Sequence, residues 1–147
     1  MKTDHTLQRF IDAQQSSYSR ALAEIRNGRK QSHWMWYIFP QIAGLGFSET
    51  AQFYAISDLQ EAQLYVEHPL LGRRLIEIAH ALLDVDGKSA HQILGSPDDL
   101  KLHSSMTLFT LLTPTDPVFQ EVLAKYFNGS PDARTLAIIN NSSSAAN

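Results

Sequence analysis

From Leu7 to Ile25 the apolar residues fall at Leu7, Phe10, Ile11, Tyr18, Ala21, Leu22 and Ile25. A helix turns about 100° per residue, so this spacing of three and four lines a single helix face. The same period returns at Leu71, Leu75, Ile78, Ala79 and Leu82, and again at Phe119, Val122, Leu123 and Tyr126. Nowhere do four or more clean apolar and polar alternations stand between hairpin turns, so no strand is expected. The pattern predicts an all-α fold: a single-domain orthogonal or irregular bundle of about six or seven helices.

Helix boundaries follow from capping chemistry. Asp4 or Thr6 can cap the first helix, and Gly28 can take the left-handed residue after it. Pro40, Gly44 and Gly46 then interrupt the chain, and a helix can restart after Ser48. Asp58 with Glu61 three residues on has the form of a capping box. That helix should stop near His68, because the residue before Pro69 is steered away from helical geometry. Pro69 can open the next helix, which Gly87 closes. Ser96-Pro97, Asp116-Pro117 and Ser130-Pro131 each pair a good N-cap with proline at the first helical position. The helix after Asp116 should end at Gly129. Residues 1–140 are expected to form one helical domain, with 141–147 as a flexible polar tail.

The chain has 147 residues, of which 44% are hydrophobic and 18% charged. A fold of this length buries about 70% of the surface its unfolded chain exposes, so one core suffices. A net charge of −3 provides no global positive field for nucleic acid or anionic lipid. No run approaches the roughly 18 apolar residues of a membrane span, and nothing near Met1 resembles a secretory leader. With no cysteine, disulfides, thiolate metal sites and a cysteine nucleophile are excluded. The expected setting is the cytoplasm. The histidines show neither an i, i+4 pair nor an H-E-x-x-H pattern, so no metal or cofactor is expected, and Ser104 and Ser105 lack the glycines of a nucleophile elbow.

The segment Arg29 to Gln41 concentrates chemistry. It follows a basic pair with four aromatic rings in six residues and holds both tryptophans. Large rings bury well and also stack on flat ligands. A base or nicotinamide ring can lie on Trp34 or Trp36, with Arg29 or Lys30 on a phosphate and His33 as acid or base. Against this stands the plain reading that Trp36, Ile38 and Phe39 are helical core, leaving Lys30 to Trp34 as the functional rim. Gln41 closes the segment as a polar ligand contact. Gly44-Leu45-Gly46 before a Ser48-capped helix can present backbone N–H groups to an anion, although Glu49 opposes one there.

Beyond Ser96, Asp98, Lys101 and Ser105 share one helical stripe in a segment apolar on nearly every side. Buried polar groups in such a helix need partners or a ligand. The alternatives are a site at Lys101 and Ser105, or an Asp98–Lys101 rim ion pair with Ser105 and Thr107 bonded back to helix carbonyls.

Several strings together carry a family resemblance: Phe10-Ile11-Asp12-Ala13-Gln14, Gly28-Arg29-Lys30, Ser32 through Gln41, Gly44-Leu45-Gly46 with Ser48, Tyr54-Ala55-Ile56, His68-Pro69-Leu70-Leu71-Gly72, and Lys101 with Ser104 through Phe109. From about Leu7 to Leu136 the chain resembles the bacterial family called domain of unknown function 1810. Its members are often labelled calpastatin, a name that nothing in these residues supports. Ser96 departs from the glycine-aspartate-rich turn common there. The resemblance implies a mainly helical fold and no established activity. More distantly, Glu61-Ala62 and Gly72-Arg73 resemble a helical family that processes ADP-ribose and N-glycosidic bonds. The leading expectation is a protein that binds or processes a nucleotide-like small molecule of ADP-ribose or NAD type, with His33, Glu61 and Lys101 near a glycosidic bond and Lys30, Trp34, Trp36, Gln41, Ser48 and Ser105 binding. The alternative expectation is a non-enzymatic interaction module or homodimer built on the aromatic box.

Overall fold

A computed structural model of the chain describes residues 2–146, with side chains from Leu7 to Asn141. Its helices run α1 (Lys2–Gln15), α2 (Tyr18–Arg26), α3 (Met35–Ile38), α4 (Glu49–Phe53), α5 (Leu59–Glu67), α6 (Leu71–Asp84), α7 (Ala90–Leu94), α8 (Asp98–Thr110), α9 (Pro117–Phe127) and α10 (Ala133–Ala146). Among the described residues there is no strand, only a single parallel bridge between Ile42 and Ile56. The fold is all-α, as the periodicity requires.

The ten helices among the described residues correct the six or seven expected. The pattern from Leu7 to Ile25 is not one helix: a turn at Ser16 and Ser17 splits it into α1 and α2 while keeping the apolar residues on one side. Helices α3, α4 and α7 have four or five residues each. One turn is too short to display a 3.6-residue period, so such helices rest on caps and tertiary contacts instead.

Several caps lie where local chemistry placed them. Ser48 Oγ accepts from Ala51 N at 3.1 Å, Asp58 accepts from Glu61 N at 2.9 Å, and Asp116 accepts from Val118 N at 2.8 Å ahead of Pro117. Helix α2 ends in a Schellman turn: Gly28 has φ +76°, and the N–H groups of Gly28 and Arg29 reach Ile25 O and Glu24 O. Other starts moved. Helix α1 begins at Lys2, ahead of Asp4 and Thr6, whose side chains lie outside the described residues. Helix α8 starts at Asp98 with Pro97, not Ser96, at the cap. Asp132 replaces Ser130 as the cap of α10, accepting from Thr135 N at 3.0 Å. Helix α6 opens at Leu71, where the His68 ring accepts from Leu70 N and Leu71 N and takes the role expected of Pro69. Helix α10 runs on to Ala146, into the segment expected as a tail.

Helix α8 is the centre, packing on α9, α10, α7 and α5, while α6 bridges α9, α2 and α5. This is why α8 is buried on nearly all sides. A file of rings ties four helices together: Phe10 of α1 meets Tyr65 of α5 edge-on at 5.0 Å, Tyr65 meets Phe109 of α8 at 5.7 Å, and Phe109 meets Phe119 of α9 at 5.5 Å. Each is fully buried, and burying one such ring contributes about 2–3 kcal/mol. Between α5 and α6 the backbones nearly touch. A Cβ on Gly72 would lie 1.8 Å from the Val66 carbonyl oxygen, so only glycine fits.

Candidate functional site

The segment from Arg29 to Gln41 is held by a residue on α2. The Glu24 carboxylate accepts from Gln31 N at 2.8 Å, Ser32 N at 3.0 Å, Ser32 Oγ at 2.6 Å and Trp34 Nε1 at 2.9 Å. Burial opposes its ionisation, but the four hydrogen bonds outweigh burial and hold its pKa down at about 2. The chain therefore enters α3 with a fixed orientation, and Gln14 of α1 secures the far side by donating to Tyr37 O at 2.8 Å.

This anchoring sorts the two tryptophans. Trp34 stands just ahead of α3 with its indole N–H held by Glu24, while Trp36 lies within the helix, and the two rings face different sides. Trp34 is 1% exposed and packs in the core with Met35, Ile38 and Phe39. Trp36 is half-buried and lines a cleft. The division of the segment expected from sequence, with core from Trp36 onward and rim up to Trp34, is thus reversed for these two rings.

The cleft has a volume of about 370 Å³, at the small end of the roughly 300–1,000 Å³ typical of small-molecule sites. Its floor and walls come from α3 (Trp36), the loop that follows (Gln41, Leu45, Gly46, Phe47, Ser48), α4 (Ala51), the amino end of α8 (Pro97, Leu100, Lys101, Ser104) and α10 (Arg134). Ala43 N donates to Ile56 O at 2.8 Å and Ile56 N to Gln41 O at 2.9 Å, which pins the base of this loop. Lys101 Nζ stands 4.6 Å from the centre of the Trp36 ring and 3.4 Å from Asp98 Oδ1, a cation–π contact and an i, i+3 ion pair together. The Gln41 side-chain amide makes no hydrogen bond among the described residues.

Of the nine residues singled out from sequence, Trp36, Gln41, Ser48 and Lys101 meet in this cleft. The other five do not line it. Lys30 lies behind the wall, paired with Asp98 Oδ2 at 2.9 Å and 5.1 Å from the Trp34 ring centre. His33 is exposed, and Trp34 belongs to the core. Thr107 bonds back to His103 O as expected, but Ser105, fully buried, does not bond back to a carbonyl, and its Oγ has no hydrogen-bond partner among the described residues. Glu61 is 5% exposed and accepts from Ser57 N at 2.8 Å and, at 3.4 Å, from Arg9. It lines a different cleft with Arg9, Asp12 and Phe53. The trio expected to do chemistry, His33, Glu61 and Lys101, is therefore not gathered at one place.

Three contributors escaped the sequence reading. Glu24 carried a signal, a carboxylate three residues from Ala21 on the buried stripe. Asp98 was visible only as a partner of Lys101, not of Lys30. Arg134 lies 33 positions beyond Lys101, with no local pattern joining them. No helix is long and apolar enough to cross a membrane, and among the described residues no cluster of metal-ligating side chains exists.

No curated protein matches this chain. A solved structure does: the conserved hypothetical protein Rv1873 from Mycobacterium tuberculosis is 48% identical, with a TM-score of 0.91 over 95% of this chain and 99% of that one. The profile described as protein of unknown function (DUF1810) matches residues 4–139. With the helical fold and most of the chain's length in agreement, the protein belongs to the DUF1810 family.

Proposed function

We propose that the cleft between α3, the loop 41–48 and the start of α8 binds a nucleotide-like small molecule. The observation that carries this is convergence: Trp36, Gln41, Ser48 and Lys101, distant in sequence, meet in one concave, mostly apolar site. Such sites combine apolar walls for a ring with a few polar points that orient it. Here Leu45, Pro97 and Leu100 supply apolar wall, the half-buried Trp36 an aromatic surface, and the uncommitted Gln41 amide both a donor and an acceptor for a heterocycle edge. Binding, not catalysis, is the reading, since His33 and Glu61 stand elsewhere. A thermal-shift screen with ADP-ribose, NAD and mononucleotides tests it. A ligand at 100 times its Kd stabilises by about 2.7 kcal/mol, a shift of several degrees. A flat response across the series, or an unchanged response in Trp36→Ala, overturns the proposal.

A second reading has one observation in its favour. Phe47 is 82% exposed and Leu100 60%, and both border the cleft. Exposed apolar groups of this kind mark interaction surfaces when they cluster. Of the aromatic box, the half-buried Trp36 borders the same cleft, while Trp34, Met35, Ile38 and Phe39 are buried. Light scattering on the wild type and on Phe47→Ser tests for a homodimer through this edge. A monomeric wild type removes the homodimer.

A further inference from the structure

The charge of the cleft runs against that of the chain. The protein carries a net charge of −3, yet the charged side chains that line this cleft, Lys101 and Arg134, are both cationic. The second cleft, with Arg9, Asp12 and Glu61, holds both signs. Behind the wall, one carboxylate serves two ammonium groups: Asp98 is 2.9 Å from Lys30 and 3.4 Å from Lys101. Their side chains are only 9% to 20% exposed, so one positive charge is left over in a partly desolvated setting. An uncompensated charge there is costly unless an anion joins it. Lys30 meets Asp98 at the shorter distance, which leaves Lys101 as the ammonium with spare donors toward the cleft.

Arg134 adds a second uncommitted cation. Among the described residues its guanidinium makes one hydrogen bond, to Leu45 O at 3.5 Å, out of five available N–H donors. The Asp132 carboxylate that caps α10 accepts from Thr135 Oγ1 at 2.6 Å, Thr135 N and Ser104 Oγ, and among the described residues Arg134 forms no ion pair with it or with any other carboxylate. Two cationic side chains facing one cleft, one of them a planar fork, match an anion that presents several oxygens.

We propose that Lys101 and Arg134 form a phosphoryl-binding subsite, so that the ligand of this cleft is a phosphate monoester or diphosphate and not a neutral nucleoside or a simple carboxylate. This rests on the ligand cleft proposed above and adds what its charged end must be. A phosphate monoester carries about −1.5 to −2 charge at pH 7, against −1 for a carboxylate. Trp36 and Gln41 then hold the ring end, and the two cations hold the phosphate.

The experiment is calorimetric titration of the full chain with adenosine, adenosine 5′-monophosphate, inorganic pyrophosphate and acetate, at about 50 and 200 mM salt. The expected result is monophosphate binding at least tenfold tighter than adenosine, weakening with salt, and no acetate binding. Arg134→Gln and Lys101→Gln should each erase that tenfold advantage of the monophosphate over adenosine. Arg134 is exposed, so its variant keeps the wild-type unfolding midpoint and reports on binding alone. If adenosine and its monophosphate bind equally, or if Arg134→Gln retains the advantage, the phosphoryl subsite is wrong while the ring-binding reading survives. If pyrophosphate alone binds, in an Arg134-dependent way, the subsite stands and the nucleotide reading falls. If no phosphate compound binds, or acetate binds as well as pyrophosphate, the inference is overturned.

Discussion

Replacing Glu24 by Gln tests how the candidate site is assembled. The glutamine keeps nearly the same shape, and its side-chain oxygen can still accept from Gln31 N, Ser32 N and Trp34 Nε1, which all converge on Glu24 Oε1. What is lost is the charge and the acceptor of the Ser32 hydroxyl, since an amide nitrogen in place of Oε2 cannot accept. The folded pKa of about 2 against an ordinary 4.5 corresponds to roughly 3 kcal/mol, at about 1.4 kcal/mol per unit. The sign follows from the depressed folded value: this stability is fully present above about pH 4.5 and is lost as pH falls toward 2. Urea unfolding at pH 7 should therefore show Glu24→Gln less stable by about 2–3 kcal/mol, a fall in Tm of roughly 5–10 °C for a chain of this size. Glu24→Ala should lose about 4 kcal/mol, since three buried or half-buried N–H groups are left without a partner. Between pH 5 and 2.5 the gap between wild type and Glu24→Gln should close. A gap below about 0.5 kcal/mol at pH 7, or one that stays constant down to pH 2.5, would refute the claim that this carboxylate holds the segment.

Four further outcomes follow from named contacts. Gly72→Ala places a Cβ 1.8 Å from Val66 O, between two backbones that cannot both yield, and should cost about 3 kcal/mol or more; a loss under 1 kcal/mol in chemical denaturation would mean that α5 and α6 separate easily. Ser105→Ala removes a buried hydroxyl with no partner and should be neutral or stabilising by up to about 1 kcal/mol, so a marked loss of stability would mean the hydroxyl is bonded after all. Trp34→Phe should cost about 2 kcal/mol and Trp36→Phe under about 1 kcal/mol, while acrylamide should quench the fluorescence that Trp36→Phe abolishes and spare that of Trp34. Asp98→Asn leaves Lys30 and Lys101 without their shared carboxylate and should lower stability by about 1–2 kcal/mol while tightening pyrophosphate binding; weaker pyrophosphate binding would contradict the charge balance drawn for the cleft.

Helix class, several helix ends and the core faces were legible in the sequence because they are local. A 3.6-residue period, a Ser, Asp or Gly at a cap and a proline at the first turn act over a handful of neighbouring residues, and Ser48, Asp58, Asp116 and Gly28 all behave as that chemistry requires. Local chemistry erred where a competitor stood nearby: Asp132 outbid Ser130 for the start of α10, and the His68 ring served α6. The single-turn helices α3 and α7 stayed out of sight because they carry no period to read, while α4 was legible only through its Ser48 cap.

The site divides in the same way. Sequence alone singled out the Arg29–Gln41 segment and the Lys101 stripe, since aromatic density and an acid–base spacing are visible along the chain. Tertiary structure decided which of those side chains meet. The direction of a ring depends on the helix phase, and that phase is imposed by Glu24 from α2 and Gln14 from α1, so Trp34 turned inward and Trp36 outward. Lys30 and Lys101 became neighbours only through Asp98, and Arg134 reached the cleft only because α10 packs on α8. Composition and periodicity settle what kind of fold this chain makes; which polar groups end up facing one another depends on long-range packing, whose distances no local pattern encodes.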